Sequence, residues 1–215
     1  MSPSPNIGPT HDPSQDLVLL GGVFDPVHCG HLQLATTALA KLPATRVLFV
    51  PSGTPPHKAA DAVTAAAHRV AMLELAVADE PHFAVDLREV RRDGPSYTVT
   101  TVAEIREEHP DSRCFFLIGA DNARQIGRWY QAEKLLQLCT PVLVPRPGHR
   151  ATFAPAELPF LSQDQVDELN ARTLDMPAID LSSSGIRRRV HAGAVIADLV
   201  PQTVAAYIAE HGLYR

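Results

Sequence analysis

Cysteine is scarce in this chain of 215 residues: Cys29, Cys114 and Cys139 are its three, with no CxxC spacing. That scarcity excludes a zinc knuckle and a disulfide framework, and the expectation is reduced thiols in a cytoplasmic compartment. A basic surplus is also missing. The net charge is −5, whereas proteins that wrap a nucleic-acid backbone carry clustered excess cations; nucleic acid is therefore not an expected partner. No apolar run approaches the roughly 20 residues needed to cross a bilayer, so no membrane association is expected. The first fifteen residues, rich in Pro, Ser, Asn and Asp, have neither a basic start nor an apolar stretch. They read as a flexible tail and not as a signal peptide. Tryptophan occurs once, at Trp129.

What is present is an apolar chain, 45% hydrophobic and 20% charged, long enough to bury a substantial core. Unbroken apolar runs at LVLLGG (17–22), RVLFVPS (46–52), CFFLIGAD (114–121) and TPVLV (140–144) read as buried parallel strands, with a shorter one at 83–87. Amphipathic helical spacing falls between them, over about 30–41, 64–78 and 130–138, and through Val99, Val102 and Ile105 with Ser96 as N-cap. One more helix is expected near 163–170, one from about Ser184, and a last one with Pro201 in its first position. The alternation predicts an α/β fold, a doubly wound, Rossmann-like parallel sheet with helices on both faces. Residues 16–215 are expected to form a single domain whose C-terminal part, about 182–215, is helical. Residues 146–178 are the least legible, with four prolines.

The most informative segment is GGVFDPVHCGHL, residues 21–32. Gly21 and Gly22 end a buried strand, where missing side chains let a ligand approach the backbone. His28 and His31 flank Gly30 where a helix begins, and a helix N-terminus presents free N–H groups and partial positive charge. The pair suits phosphate binding; a structural turn with polar histidines, or half of a metal site, fits the spacing as well. Lys58 follows two prolines, and by composition alone it is an ordinary surface lysine. SSSGIR (182–187) offers hydroxyls, amides and a guanidinium at a second helix start. Asp121 lies at a strand's carboxyl end, as a ligand contact or a helix N-cap. Trp129, flanked by polar residues, reads as a ring-stacking platform or as a core anchor.

The segment resembles the HxGH signature of the nucleotidyltransferase superfamily, and GGxFDPVHxGH its nicotinate mononucleotide adenylyltransferase branch. PSGTPPHK (51–58), PSYT (95–98), LIGADN (117–122), Trp129-Tyr130, VPRPG (144–148), LSSSGIR (181–187) and HGLYR (211–215) follow in order. The resemblance implies adenylyl transfer from ATP to nicotinate mononucleotide, giving the dinucleotide and pyrophosphate in NAD biosynthesis. It places Gly21, Gly22, Phe24, His28, His31, Asp121, Ser183 and Arg187 at ATP, with His28, His31, Lys58 and Arg187 acting in catalysis. Lys58, Tyr97, Thr98, Trp129 and Tyr130 would hold the acceptor: Trp129 by stacking on the pyridinium ring, the amides of Thr98 and Tyr130 by binding its carboxylate. Mg²⁺ is expected with ATP, with no metal site of the protein's own and no tightly bound organic cofactor. Homo-oligomer formation stays open. Val23 and Cys29 depart from the family pattern, where a small hydroxyl residue and an aromatic are usual. Competing expectations are a nicotinamide mononucleotide or phosphopantetheine adenylyltransferase, an inactive nucleotide-binding regulator, and a relative of aminoacyl-tRNA synthetases.

Overall fold

A computed structural model describes residues 16–53, 63–146, 152–177 and 179–215. The expected tail at 1–15 and Lys58 lie outside the described residues. Five strands form one parallel sheet in the order β3-β2-β1-β4-β5: β1 Leu17–Gly22, β2 Arg46–Pro51, β3 Phe83–Val85, β4 Cys114–Gly119 and β5 Thr140–Val144. The register of β1 runs from Leu17 against Arg46 to Gly22 against Pro51, and Leu17–Leu19 face Cys114–Phe116 on its other side.

The sheet is buried on both faces, which is why its strands carry no polar alternation. Val18 and Leu20 point into one core with Phe49, Met72 and Leu73. There they meet α1 (Cys29–Lys41), α2 (Ala66–Val77), and, from the C-terminal part, α8 (Ser183–His191) and α9 (Gln202–Glu210) through Leu34, Ala38, Ile186 and Ile208. Leu17 and Leu19 point into a second core with Ile118. That core is closed by α4 (Thr98–Glu108), α6 (Ala132–Leu138) and α7 (Gln163–Ala171) through Val102, Leu135 and Val166. Helices therefore cover both faces, as a doubly wound fold requires. Among the described residues, no helix is long and apolar enough to cross a membrane.

Several boundaries differ from expectation. Tyr97, not Ser96, is the N-cap of α4, because the buried Ser96 hydroxyl donates to the Glu89 carbonyl. The helix expected from Tyr130 begins at Ala132, since Gln131 adopts a left-handed φ of 50°. Pro201 is the N-cap of α9 and not its first helical residue. The short helices α3 (Arg88–Arg91) and α5 (Ala120–Ala123) were not expected. Gly119 is the N-cap of α5, so the N-cap role considered for Asp121 does not hold.

Candidate active site

The chain runs outward from β1 to β3 and then returns to β4 at the other side of β1. The reversal leaves a crevice beyond the carboxyl ends of β1 and β4, where open α/β sheets bind ligands. A cleft of about 870 Å³ opens there. Gly21, Gly22, Phe24, His28, His31, Tyr97, Thr98, Asp121, Trp129, Tyr130, Ser183 and Arg187 all line it. Of the candidate site residues, Lys58 alone lies outside the described residues.

At the α1 end, His28 is the N-cap and His31 stands three residues on. Their rings stack at 3.7 Å between centroids, 23° from parallel. The His28 backbone N–H donates to His31 Nδ1 at 3.2 Å. That bond makes Nδ1 an acceptor, so neutral His31 carries its proton on Nε2 as a donor. Burial, and after it the charge of Arg146, lowers the His28 pKa to about 4. Burial, then the neighbouring His28 and Arg146, holds His31 well below the usual histidine range. Both rings are therefore neutral donors near neutral pH, and among the described residues the positive charge lining the cleft comes from Arg128, Arg146 and Arg187. The buried His28 Nδ1 makes no hydrogen bond among the described residues. Gly30 makes room for that ring: a Cβ there would lie 3.1 Å from His28 Nδ1 and 2.8 Å from Ile179 Cγ2.

The loop between β1 and α1 is held from several sides. Phe24 is buried at a φ of 52°, a conformation that costs a bulky residue about 1–2 kcal/mol and persists only where its surroundings enforce it. Its ring meets His31 edge-on at 5.0 Å. Arg187 Nη1 donates to the Asp25 carbonyl at 2.7 Å, and the Ser183 hydroxyl to the Pro26 carbonyl at 2.9 Å. The start of α8 is thus tied to the start of α1, and both helix N-termini serve one wall of the cleft.

Another part of the lining is aromatic. Trp129 meets Phe116 at 6.2 Å between centroids while remaining on the cleft lining, so the core contact leaves the ring accessible from the cleft. Tyr97 and Tyr130 lie 4.6 Å apart. Thr98 is the first residue of α4, so its amide is one of the helix's unpaired donors.

Sequence reasoning passed over Arg146, which pairs with Asp121 at 2.7 Å and lines the cleft. A cation just past the end of β5, in the noted VPRPG motif, was the signal. It also passed over Asp25, Arg69 and Tyr214. Tyr214 donates to Asp25 Oδ1 at 2.7 Å across 189 positions, a contact that no local pattern announces. Among the described residues there is no group of three or more His, Cys, Asp or Glu that could hold a metal ion.

A doubly wound sheet with a cleft at its switch point, lined by the N-termini of α1, α4 and α8, has the architecture in which open α/β proteins bind anionic ligands. Residues 19–189 match the family described as cytidylyltransferase-like. A protein of Synechococcus sp. (strain JA-3-3Ab) named "Probable nicotinate-nucleotide adenylyltransferase" is 41% identical over 209 residues, 94% of this chain and 97% of its own length. One of the same name from Symbiobacterium thermophilum is 42% identical over 198 residues, 92% of this chain and 94% of its own. The chain belongs to the cytidylyltransferase-like family, among relatives named as nicotinate-nucleotide adenylyltransferases. The solved structure of Plasmodium falciparum nicotinic acid mononucleotide adenylyltransferase complexed with NaAD is similar with a TM-score of 0.71. It covers 93% of this chain and 97% of that one at 17% identity, a likeness of fold.

Proposed function

We propose that this chain is an enzyme that transfers the adenylyl group of ATP to nicotinate mononucleotide, releasing pyrophosphate and the deamido dinucleotide of NAD biosynthesis. One observation carries the reading. Two neutral imidazole donors, Ser183 and Arg187 share a cleft with Trp129 and the first amide of α4. An anion cradle thus faces an aromatic platform next to a carboxylate-binding helix terminus.

The chemistry asks for little acid–base work. The acceptor phosphate is largely a dianion near neutral pH, since its second pKa is about 6. One of its oxygens attacks the α-phosphorus of ATP in line, the bond from that phosphorus to the bridging oxygen breaks, and pyrophosphate leaves with the electron pair. No covalent enzyme intermediate forms. The protein's part is positioning and neutralisation of charge on the leaving oxygens. His31 donates through Nε2, Arg187 supplies fixed charge, and His28 and Ser183 complete the cradle. Lys58, by family resemblance, adds a positive charge at the phosphates. Gly21, Gly22 and Phe24 border ATP, and the Asp121–Arg146 pair faces its nucleoside. Trp129 stacks on the pyridinium ring, beside Tyr97. The amides of Thr98 and Tyr130 favour a ring carboxylate over a neutral amide. Magnesium enters with ATP as part of that substrate, held by phosphates and water. The three cysteines are free thiols, which supports work in the reducing cytoplasm. The proposed domain is residues 16–215, with its C-terminal helical part from about 182.

The test compares kcat/KM for nicotinate and nicotinamide mononucleotide, with phosphopantetheine as a third acceptor and pyrophosphate release as the readout. The acid is expected to win by about tenfold or more, the scale of a lost charge-assisted hydrogen bond. Equal values for acid and amide would remove the carboxylate site.

A further inference from the structure

Arg69 stands apart from the cleft and yet holds its floor. It lies in the first turns of α2 and is 2% exposed. Arginine is almost never so buried without a partner, and an apolar side chain of similar size would fill the space with less desolvation. What an apolar residue could not do is bind three carbonyls at once. Arg69 Nη1 donates to the Val23 carbonyl at 2.7 Å, Nε to that of Thr64 at 3.0 Å, and Nη2 to that of Gly53 at 3.4 Å. Three separate segments are joined by one planar group whose donors diverge in a fixed fork.

The strongest of these bonds reaches the peptide between Val23 and Phe24. Phe24 follows in the left-handed region, and its ring touches His31. A contiguous path therefore runs from the guanidinium through one peptide and one ring to the imidazole. Two other side chains that tie this loop, Ser183 and Arg187, themselves line the cleft, whereas Arg69 does not. It acts from behind.

We infer that Arg69 is a positioning residue for adenylyl transfer: by gripping the Val23 carbonyl it fixes the course of residues 23–28, and with it the placing of His31 against the phosphates. The inference rests on the function proposed above. Its consequence is a defect in kcat more than in binding, because a small misplacement of a catalytic donor costs rate steeply.

Arg69→Lys and Arg69→Ala separate this role from ordinary core filling. Lysine keeps the charge but has a single nitrogen that cannot span three carbonyls. Arg69→Lys is expected to lower kcat about tenfold, with both KM values changed less than about threefold. Its Tm should stay within about 5 °C of the native protein. Arg69→Ala should lose more, and millimolar guanidinium should restore its kcat at least about threefold, by refilling the same three contacts. Hydrogen exchange in ligand-free protein should quicken in peptides covering 23–28 in Arg69→Lys, while β4 peptides stay unchanged. Native kcat in Arg69→Lys overturns the inference. So does an Arg69→Ala loss that matches its unfolded fraction and ignores guanidinium. Native protein inactive with ATP and nicotinate mononucleotide would sink the proposed function instead, and the exchange measurement would still decide whether Arg69 holds the loop.

Discussion

Two charged imidazoles 3.7 Å apart would repel by about 4 kcal/mol at an effective dielectric near 20, so His28 and His31 are more useful as neutral donors. Their stacking and burial keep them so, and this has a consequence for stability. His28 titrates at about 4 in the fold, against about 6.5 in an unfolded chain. Between those values the unfolded chain binds a proton that the folded one refuses. Stability therefore rises with pH across the window: the contribution is complete above about 6.5 and is lost as pH falls towards 4. The size is on the order of 3 kcal/mol. Urea unfolding of His28→Gln should show a stability difference between about pH 7 and pH 4.5 that is smaller than the native protein's by about 2 kcal/mol. Identical pH dependences would mean that His28 titrates in the fold as it does in the unfolded chain. The sequence made the two histidines legible as a pair at a helix start. It could not reveal their neutrality, which depends on burial by residues far along the chain. Arg146 carried a signal in the VPRPG motif, but its pairing with Asp121 on another element, and its effect on the histidines, could not be read from the sequence.

Among the elements, the strands were legible almost to the residue. LVLLGG, RVLFVP, CFFLIG and TPVLV are apolar on both faces and stop where glycine or proline intervenes. Helix starts were less legible, because capping is decided by tertiary partners: Ser96 turned to Glu89, and Gln131 turned left-handed. α3 and α5 span four residues each, too few for helical periodicity to register. At α1 the start itself is functional. Gly30 lies in the first turn, and replacing it with alanine would ordinarily favour the helix by about 1 kcal/mol. Here the new methyl would lie 2.8 Å from Ile179 and 3.1 Å from the His28 ring, so crowding offsets that gain and both neighbours must shift, the ring included. Gly30→Ala is therefore expected to leave stability within about 1 kcal/mol of the native value while cutting kcat/KM for ATP about tenfold. Measuring both on one preparation decides it. A variant with native kcat/KM would show that the His28 ring tolerates displacement.

For the molecule as a whole, the doubly wound order was legible from strands alternating with helices, whereas the closure of the chain on itself was not. Residues 211–215 read only as a family-like ending, with no task. In the fold, Tyr214 reaches back to the buried Asp25 carboxylate, whose other oxygen accepts from the Thr64 amide at 3.3 Å. Burial and the bond to Asp25 push the Tyr214 phenol well above the usual tyrosine range, so it remains a donor at any ordinary pH. The last turn of the chain thereby supports the loop that Arg69 and Arg187 grip from other sides, and the site's floor joins residues 23–26, 53, 64, 69, 187 and 214. Removing the phenolic hydroxyl leaves one oxygen of a buried carboxylate without its donor, a change worth about 1–3 kcal/mol. Tyr214→Phe should be less stable by that amount in urea unfolding and should lower kcat, because the loop carrying His28 loses one restraint. Adding ATP should recover part of the stability, by binding the ordered form alone. A Tyr214→Phe protein as stable and as active as the native one would mean that Asp25 is satisfied without the C-terminus, and the floor would then rest on its other ties, from Thr64, Arg69, Ser183 and Arg187.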